Sequence, residues 1–187
     1  MSIQIIIWII VFAILAYVLI YNGIISARNN VKENSSAIDT VFQNRYDLIP
    51  NLIEVVKKYT KHESKVLENV TKLRSGAMGT QEITPEKLAQ ENMISGTLKS
   101  IFALSENYPD LKADSQFLNL QNQWQEIEDR LQAARRWYNS AVKILKNKKE
   151  QIPSSFIAST MNIEDYPMFE ADEKAKESVN AKELFNS

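Results

Sequence analysis

The sequence has no cysteine, one histidine, four glycines and five prolines in 187 residues. Without thiols there is no disulfide framework, no thiolate metal site and no cysteine nucleophile. The redox compartment stays open, because a cysteine-free chain tolerates either state. A single histidine, His62, cannot supply the two Glu-x-x-His motifs of a di-iron bundle, and the residue three before it is Tyr59. Few turn-forming residues argue against a strand-and-turn fold and for long helices. No Gly-x-Ser-x-Gly elbow occurs, and Gly76 and Gly79 lack the Lys-Ser/Thr that would follow in a phosphate loop. A net charge of −1 gives no bulk attraction to nucleic acid, and no aromatic-basic strand suggests RNA binding. Neither a cofactor, a metal nor a nucleic-acid partner is expected.

Charge is also absent from residues 1–27, and Arg28 is the first charged side chain. Between Ile3 and Ile20 only Gln4 is strongly polar, and thirteen residues are Ile, Leu, Val or Phe. At about 1.5 Å per residue such a stretch covers a ~30 Å hydrocarbon core. Trp8, Tyr17 and Tyr21 add aromatic surface, with Tyr21 placed for the interface belt. A cleavable signal would carry a basic start, a shorter apolar run and small residues before the cut. Here the start has no basic side chain, the apolar run is too long, Ile25-Ser26-Ala27 is a poor cleavage site, and the segment is apolar all round, unlike a core helix. The expectation is a bilayer contact through residues 3–21. Arg28 and Lys32 follow the span while no basic residue precedes it, which places the N-terminus outside and the main domain in the cytoplasm.

Beyond the span the apolar residues step by three and four. Val31, Asn34, Ile38, Val41, Arg45, Leu48, Leu52, Val55, Tyr59, His62, Val66, Asn69 and Leu73 form one seam, widened by Phe42, Ile49, Val56 and Val70. The pattern keeps its phase across Pro50, so a kink near Asp47–Asn51 is expected rather than a domain boundary. No Gly or Pro lies between Ile24 and Ile49, so the membrane helix is free to run on into this one. Gly76 to Thr80 reads as a linker, and Thr84-Pro85-Glu86 as a helix start. The next helix carries Leu88, Ile94, Leu98, Ile101, Phe102 and Leu104; Gly96 within it costs stability or permits a close helix approach. It stops at Asn107-Tyr108-Pro109-Asp110. Phe117, Leu120, Trp124, Ile127, Leu131, Ala134, Tyr138, Ala141 and Leu145 then make the cleanest stripe in the chain, ended by Gln151-Ile152-Pro153.

These stripes need one another to be stable in water. The fold class is therefore all-α, an N-terminal transmembrane helix followed by an antiparallel bundle of three to four long helices. The division is 1–25 anchor, 26–163 bundle and 164–187 acidic tail, the last partly disordered or a short helix. That tail holds seven acids and three lysines, with Tyr166-Pro167-Met168-Phe169 as a docking patch.

Several side chains stand out against this background. His62-Glu63 is a boundary pair inside the bundle or a pH-sensitive contact. Arg45 and Asp47, on a mostly apolar face, are read as an internal ion pair that fixes register. Arg135-Arg136 with Trp137-Tyr138 could touch lipid headgroups or an acidic partner, or form a solvated face with aromatic packing. Glu126, Glu128 and Asp129 read as a solvated face rather than a metal site.

Taken together, Tyr21-Asn22, Arg28-Asn29-Asn30-Val31, Ile38-Asp39, Arg45-Tyr46-Asp47-Leu48-Ile49-Pro50-Asn51-Leu52, Lys57-Lys58-Tyr59 and His62-Glu63 resemble the LemA family of bacterial membrane proteins. Tyr108-Pro109-Asp110-Leu111-Lys112-Ala113, Phe117-Leu118-Asn119-Leu120-Gln121, Glu128-Asp129-Arg130, Ala133-Ala134-Arg135-Arg136-Trp137-Tyr138-Asn139 and Pro153-Ser154 extend the likeness over nearly the whole chain. It departs at Asn34-Ser35, Asn44 and Ile152. The resemblance implies a cell-membrane anchor, a short external N-terminus and a cytoplasmic helical bundle, and it brings no established reaction or catalytic residues. The leading expectation is a non-enzymatic, membrane-tethered interaction or scaffold protein with protein partners at the membrane. The alternatives are a self-assembling, homo-oligomeric membrane organiser and a hydrolase using His62. Arg28, Arg45, Asp47, Pro50, Asn51, His62, Glu63, Tyr108, Arg135, Arg136 and Tyr138 are the expected interaction or register residues.

Overall fold

A computed structural model describes residues 3–60, 64–77 and 83–169. These form helices α1 (Ile3–Tyr59), α2 (Ser64–Ala77), α3 (Pro85–Leu104), α4 (Pro109–Ala113), α5 (Ser115–Glu150) and α6 (Ser154–Ala158), with a 3-10 turn at Ser105–Asn107. No strand occurs among the described residues. The expected all-α architecture is what the chain adopts.

The longest element is α1, at 57 residues, and it passes through Pro50 without leaving the α-helix. Its apolar start continues unbroken into the bundle. A window of this helix is apolar enough to cross a membrane, and none of that window is buried within the protein.

The first seam divides where a single helix was expected. Α1 ends at Tyr59 and α2 begins at Ser64, although no Gly or Pro marks the gap. Lys57 and Lys58 lie in the last turn of α1, where cations favour a helix end, and Thr60 bonds back to the Val56 carbonyl through both its N–H and its hydroxyl. Α2 then folds back along α1, bringing Arg74 to Tyr46. His62 and Glu63 fall outside the described residues.

The helix starts are written locally. Thr84 Oγ1 accepts from the Lys87 N–H at 3.2 Å, with Pro85 at the first position of α3. Asp114 Oδ1 accepts from the N–H groups of Gln116 and Phe117 at 2.7 and 2.9 Å and opens α5. Its other oxygen takes the Tyr59 hydroxyl at 2.8 Å, so one carboxylate caps α5 and ties it to the end of α1.

Packing follows an up-down-up-down order, with α1 against α5 the dominant pairing and α2 against α3 the second. Gly23 faces Lys148, Arg45 faces Glu128 and Tyr59 faces Asp114, so α5 retreats as α1 advances. The register holds from Gly23 to Tyr59, about 54 Å of helix. Between α1 and α5 lie Ile24, Val31, Ile38, Phe117, Leu131, Tyr138 and Leu145, all buried. Phe102 of α3 closes the far end, its ring 5.7 Å from Phe117 and 4.9 Å from Trp124. Gly96 faces open space, so it permits no close helix approach.

After α5, α6 turns back onto both α1 and α5. The chain then descends along α5 as far as Phe169. Asn139 pairs with Phe169 through both backbone groups, at 2.8 and 2.9 Å, and the Phe169 ring stands edge-on to Tyr138 at 5.5 Å. The Tyr166–Phe169 patch therefore docks on its own chain. Residues 170–187 of the acidic tail fall outside the described residues.

Candidate functional site: a buried ion network at the waist of the bundle

The seam of α1 carries Arg45 where an apolar residue would be usual, and its side chain is wholly buried. A buried guanidinium must be paired or it costs several kcal/mol. Its partners come from two other helices. Nη1 donates to Glu91 Oε2 at 3.2 Å and to Ser95 Oγ at 2.9 Å, both on α3. Nη2 donates to Glu128 Oε2 of α5 at 3.0 Å. One side chain thus joins three helices.

Glu91 is also fully buried, and both its oxygens are engaged: Oε2 by Arg45 and Oε1 by the Tyr46 hydroxyl. Burial pushes the Glu91 carboxyl above its ordinary range, against the pull of the Tyr46 bond, Arg45, Lys87 and Arg135. Burial, then the bond to Glu91, raises the Tyr46 phenol strongly, so that it stays a donor. One turn earlier on α3, buried Lys87 reaches Asp39 of α1 at 2.7 Å. The Phe42 ring lies between the two cations, 5.5 Å from Lys87 Nζ and 5.8 Å from the Arg45 guanidinium carbon.

Arg135 stands one helical repeat beyond Glu128 on the same face of α5. Burial and then the repulsion of Arg45 lower its pKa, while Glu128 and Glu91 raise it. Its guanidinium lies over the Phe169 ring at 5.0 Å. Arg45, Lys87 and Arg135 against Asp39, Glu91 and Glu128 make the waist balanced in charge. Tyr138, one turn further on, is fully buried, and burial holds its phenol up to about 12.

Pro50 has a role that its exposed ring hides. Lacking an N–H, it leaves the Tyr46 carbonyl without its helical donor. Arg74 Nε of α2 fills the vacancy at 2.9 Å. Tyr46 therefore binds α3 through its hydroxyl and α2 through its carbonyl.

The sequence-picked residues divide accordingly. Arg45, Arg135 and Tyr138 belong to the waist. Asp47 does not pair with Arg45: it is exposed and accepts from Gln43 Nε2 at 2.9 Å. Residues two apart point to different sides of a helix, so that pair could not close. Glu128 corrects a second expectation, because it turns inward while Glu126 and Asp129 remain exposed. Arg136 and Trp137 are exposed, so the Arg135–Tyr138 run splits between two faces of α5. Asn51 is exposed, Tyr108 packs against the core before α4, and Arg28 is half-buried on α1.

Glu91, Lys87 and Glu128 are what sequence reasoning missed. The signal was present for two of them. Stepping back from Ile101, Leu98 and Ile94 by fours and threes lands on Glu91 and Lys87, charges on a core stripe that already has an unpaired partner in Arg45. Glu128 stands one place off the α5 seam and carries no such mark. Among the described residues no group of three His, Asp or Glu side chains is placed to hold a metal ion.

Comparison with known proteins agrees with this frame. The protein called LemA from Metamycoplasma hominis is 25% identical over 168 residues, which cover 88% of this chain and 75% of that one. The LemA family profile matches residues 21–182, starting where the apolar run ends and taking in the waist and all the helices after α1. On that match, the chain belongs to the LemA family.

Proposed function

We propose that the chain is a membrane-tethered, non-enzymatic interaction protein, with residues 3–21 in the bilayer, the N-terminus outside and the bundle on the cytoplasmic side. The observation that carries this reading is the continuity of α1: one helix has an unpacked apolar start and an ion-tied bundle further along. Tethering confines the bundle to a thin layer beside the bilayer, which raises its effective concentration for partners there. The waist supports a structural role for its charges, because Arg45 and Lys87 are paired with Glu91, Glu128 and Asp39 and both oxygens of Glu91 are occupied. The positive flank after the span, Arg28 and Lys32, supports the orientation.

Partners would meet the outer face of α5. Trp137 is 70% exposed there, beside a groove of about 400 Å³ that Asn30, Asn34 and Ala37 of α1 line with it. The test is a photo-crosslinking residue in place of Trp137, activated in native membranes. Discrete adducts with another protein, absent when the same residue replaces Gln132, are expected. An adduct at twice the chain's mass would make the partner a second copy. No adduct from position 137, with a strict monomer in detergent, would contradict the interaction role.

A further inference from the structure

The corner between α5 and α6 leaves two large apolar side chains uncovered: Ile152 is 78% and Phe156 69% exposed. Ile157 and Ala158, their neighbours, pack into the core, so the corner is held with one side in and the other out.

Its height along the molecule gives the exposure a meaning. Gly23 meets Lys148, and α1 and α5 run antiparallel in constant register. Two residues after the end of α5, Ile152 is therefore level with the Leu19–Ile20 turn of α1. The packing agrees, since α6 touches α1 and Ile20 is partly covered by the core while Leu19 is 72% exposed. The corner thus overlaps the last turns of the apolar run, the stretch that carries the stacked Tyr17 and Tyr21 rings. Of the bundle's other exposed apolar residues, Ile144 lies about two turns farther along α5, Trp137 about four, and Met93 and Leu118 much farther still.

We infer that the α5–α6 corner is a second membrane contact, with Ile152 and Phe156 set into the headgroup–acyl boundary next to the point where α1 enters. The occupant is the lipid surface, because the patch is continuous with the apolar helix and is at its depth. The adjoining end of α5 bears Lys143, Lys146, Lys148 and Lys149. Lys149 is held by Asp165 at 2.5 Å, and Lys146 lies 3.9 Å from Glu150, which among the described residues leaves Lys143 and Lys148 for phosphate oxygens. Two contacts fix what one helix cannot: the rotation of the bundle about α1 and its tilt against the bilayer.

The inference rests on α1 spanning the bilayer, and its test separates the two. The chain has no cysteine, so Val11→Cys, Phe156→Cys and Leu118→Cys each give one thiol for an environment-sensitive fluorophore. The full-length variants are reconstituted into phosphatidylethanolamine–phosphatidylglycerol vesicles, with and without bromine on the upper acyl chains. Loss of emission at 11 and 156, with none at 118, is the expected result. Loss at 11 alone would overturn the second contact and leave the span standing. No loss at either 11 or 156 would remove the span and the corner contact with it. Equal loss at 118 would mean that the bundle lies flat on the lipid and that the corner is not a distinct contact. Phe156→Asp with Ile152→Asp, read by a fluorophore at Ser155→Cys, should abolish quenching there while thermal unfolding stays cooperative.

Discussion

One helix holds two opposite solutions to burial. Over residues 3–21, α1 is almost without polarity, and the protein packs against it only near its end, at Ile20. Around Arg45, the same helix carries a full charge with no exposure at all. The first region needs a solvent without hydrogen bonds, and the second needs partners at fixed distances. A guanidinium in the first would be refused. An alanine in the second would strand Glu91 and Glu128. The difference shows that the bundle is specified less by its apolar stripes, which several registers would satisfy, than by a few charges that only one register can pair.

The largest expected effect lies in the waist. Arg45→Ala should destabilise the bundle by about 3–5 kcal/mol, since two carboxylates are left in or near the core. Urea unfolding of the full chain in mild detergent reads it. Arg45→Met combined with Glu91→Leu and Glu128→Leu should recover part of that loss, because the two carboxylates leave together with the guanidinium, while Arg135 and the Tyr46 hydroxyl lose their acidic neighbours. The mirror experiment is Ile10→Arg, which should disfavour membrane insertion by roughly 2.5–3.5 kcal/mol and leave the bundle's own unfolding unchanged. Fractionation and unfolding of the same variant check both halves.

The acidic groups sharpen the contrast through pH. The Phe117 N–H first, and then the Tyr59 hydroxyl, hold Asp114 below its ordinary value. Its contribution is present above the unfolded carboxylate pKa, about 3.9, and is lost as pH falls through the folded value. Glu91 is displaced upward by burial, so its contribution is complete below about 4.3 and is lost as pH rises through its folded value. Asp114→Asn should shrink the acid-side loss of melting temperature, and Glu91→Gln should flatten the decline above it. The smallest effect belongs to the surface. Arg130 and Glu126 pair at 2.5 Å but are more than 60% exposed, and breaking them should change stability by about 0.5 kcal/mol or less.

Much of the fold was legible because it is written locally. The uncharged start, the Thr84-Pro85 cap and the Phe117–Leu145 stripe each announce their element within a few turns. The break between α1 and α2 was not, because the 3/4 step keeps its phase across it and no Gly or Pro marks it. The waist was half legible. Arg45 stood out on an apolar seam, yet its partners lie 46 and 83 residues away, and a near neighbour, Asp47, offered a wrong answer that helix geometry forbids. Pro50 was visible as a helix disturbance. Its use, freeing the Tyr46 carbonyl for Arg74, depends on α2 folding back, which no local pattern encodes.

The central claim is that α1 is at once the membrane anchor and the spine of the bundle. The most direct measurement is an alkaline carbonate wash of native membranes, followed by detection of the chain in pellet and supernatant. The account predicts that the chain stays in the pellet and that the Ile10→Arg variant moves measurably to the supernatant. Release of the unaltered chain into the supernatant would contradict it.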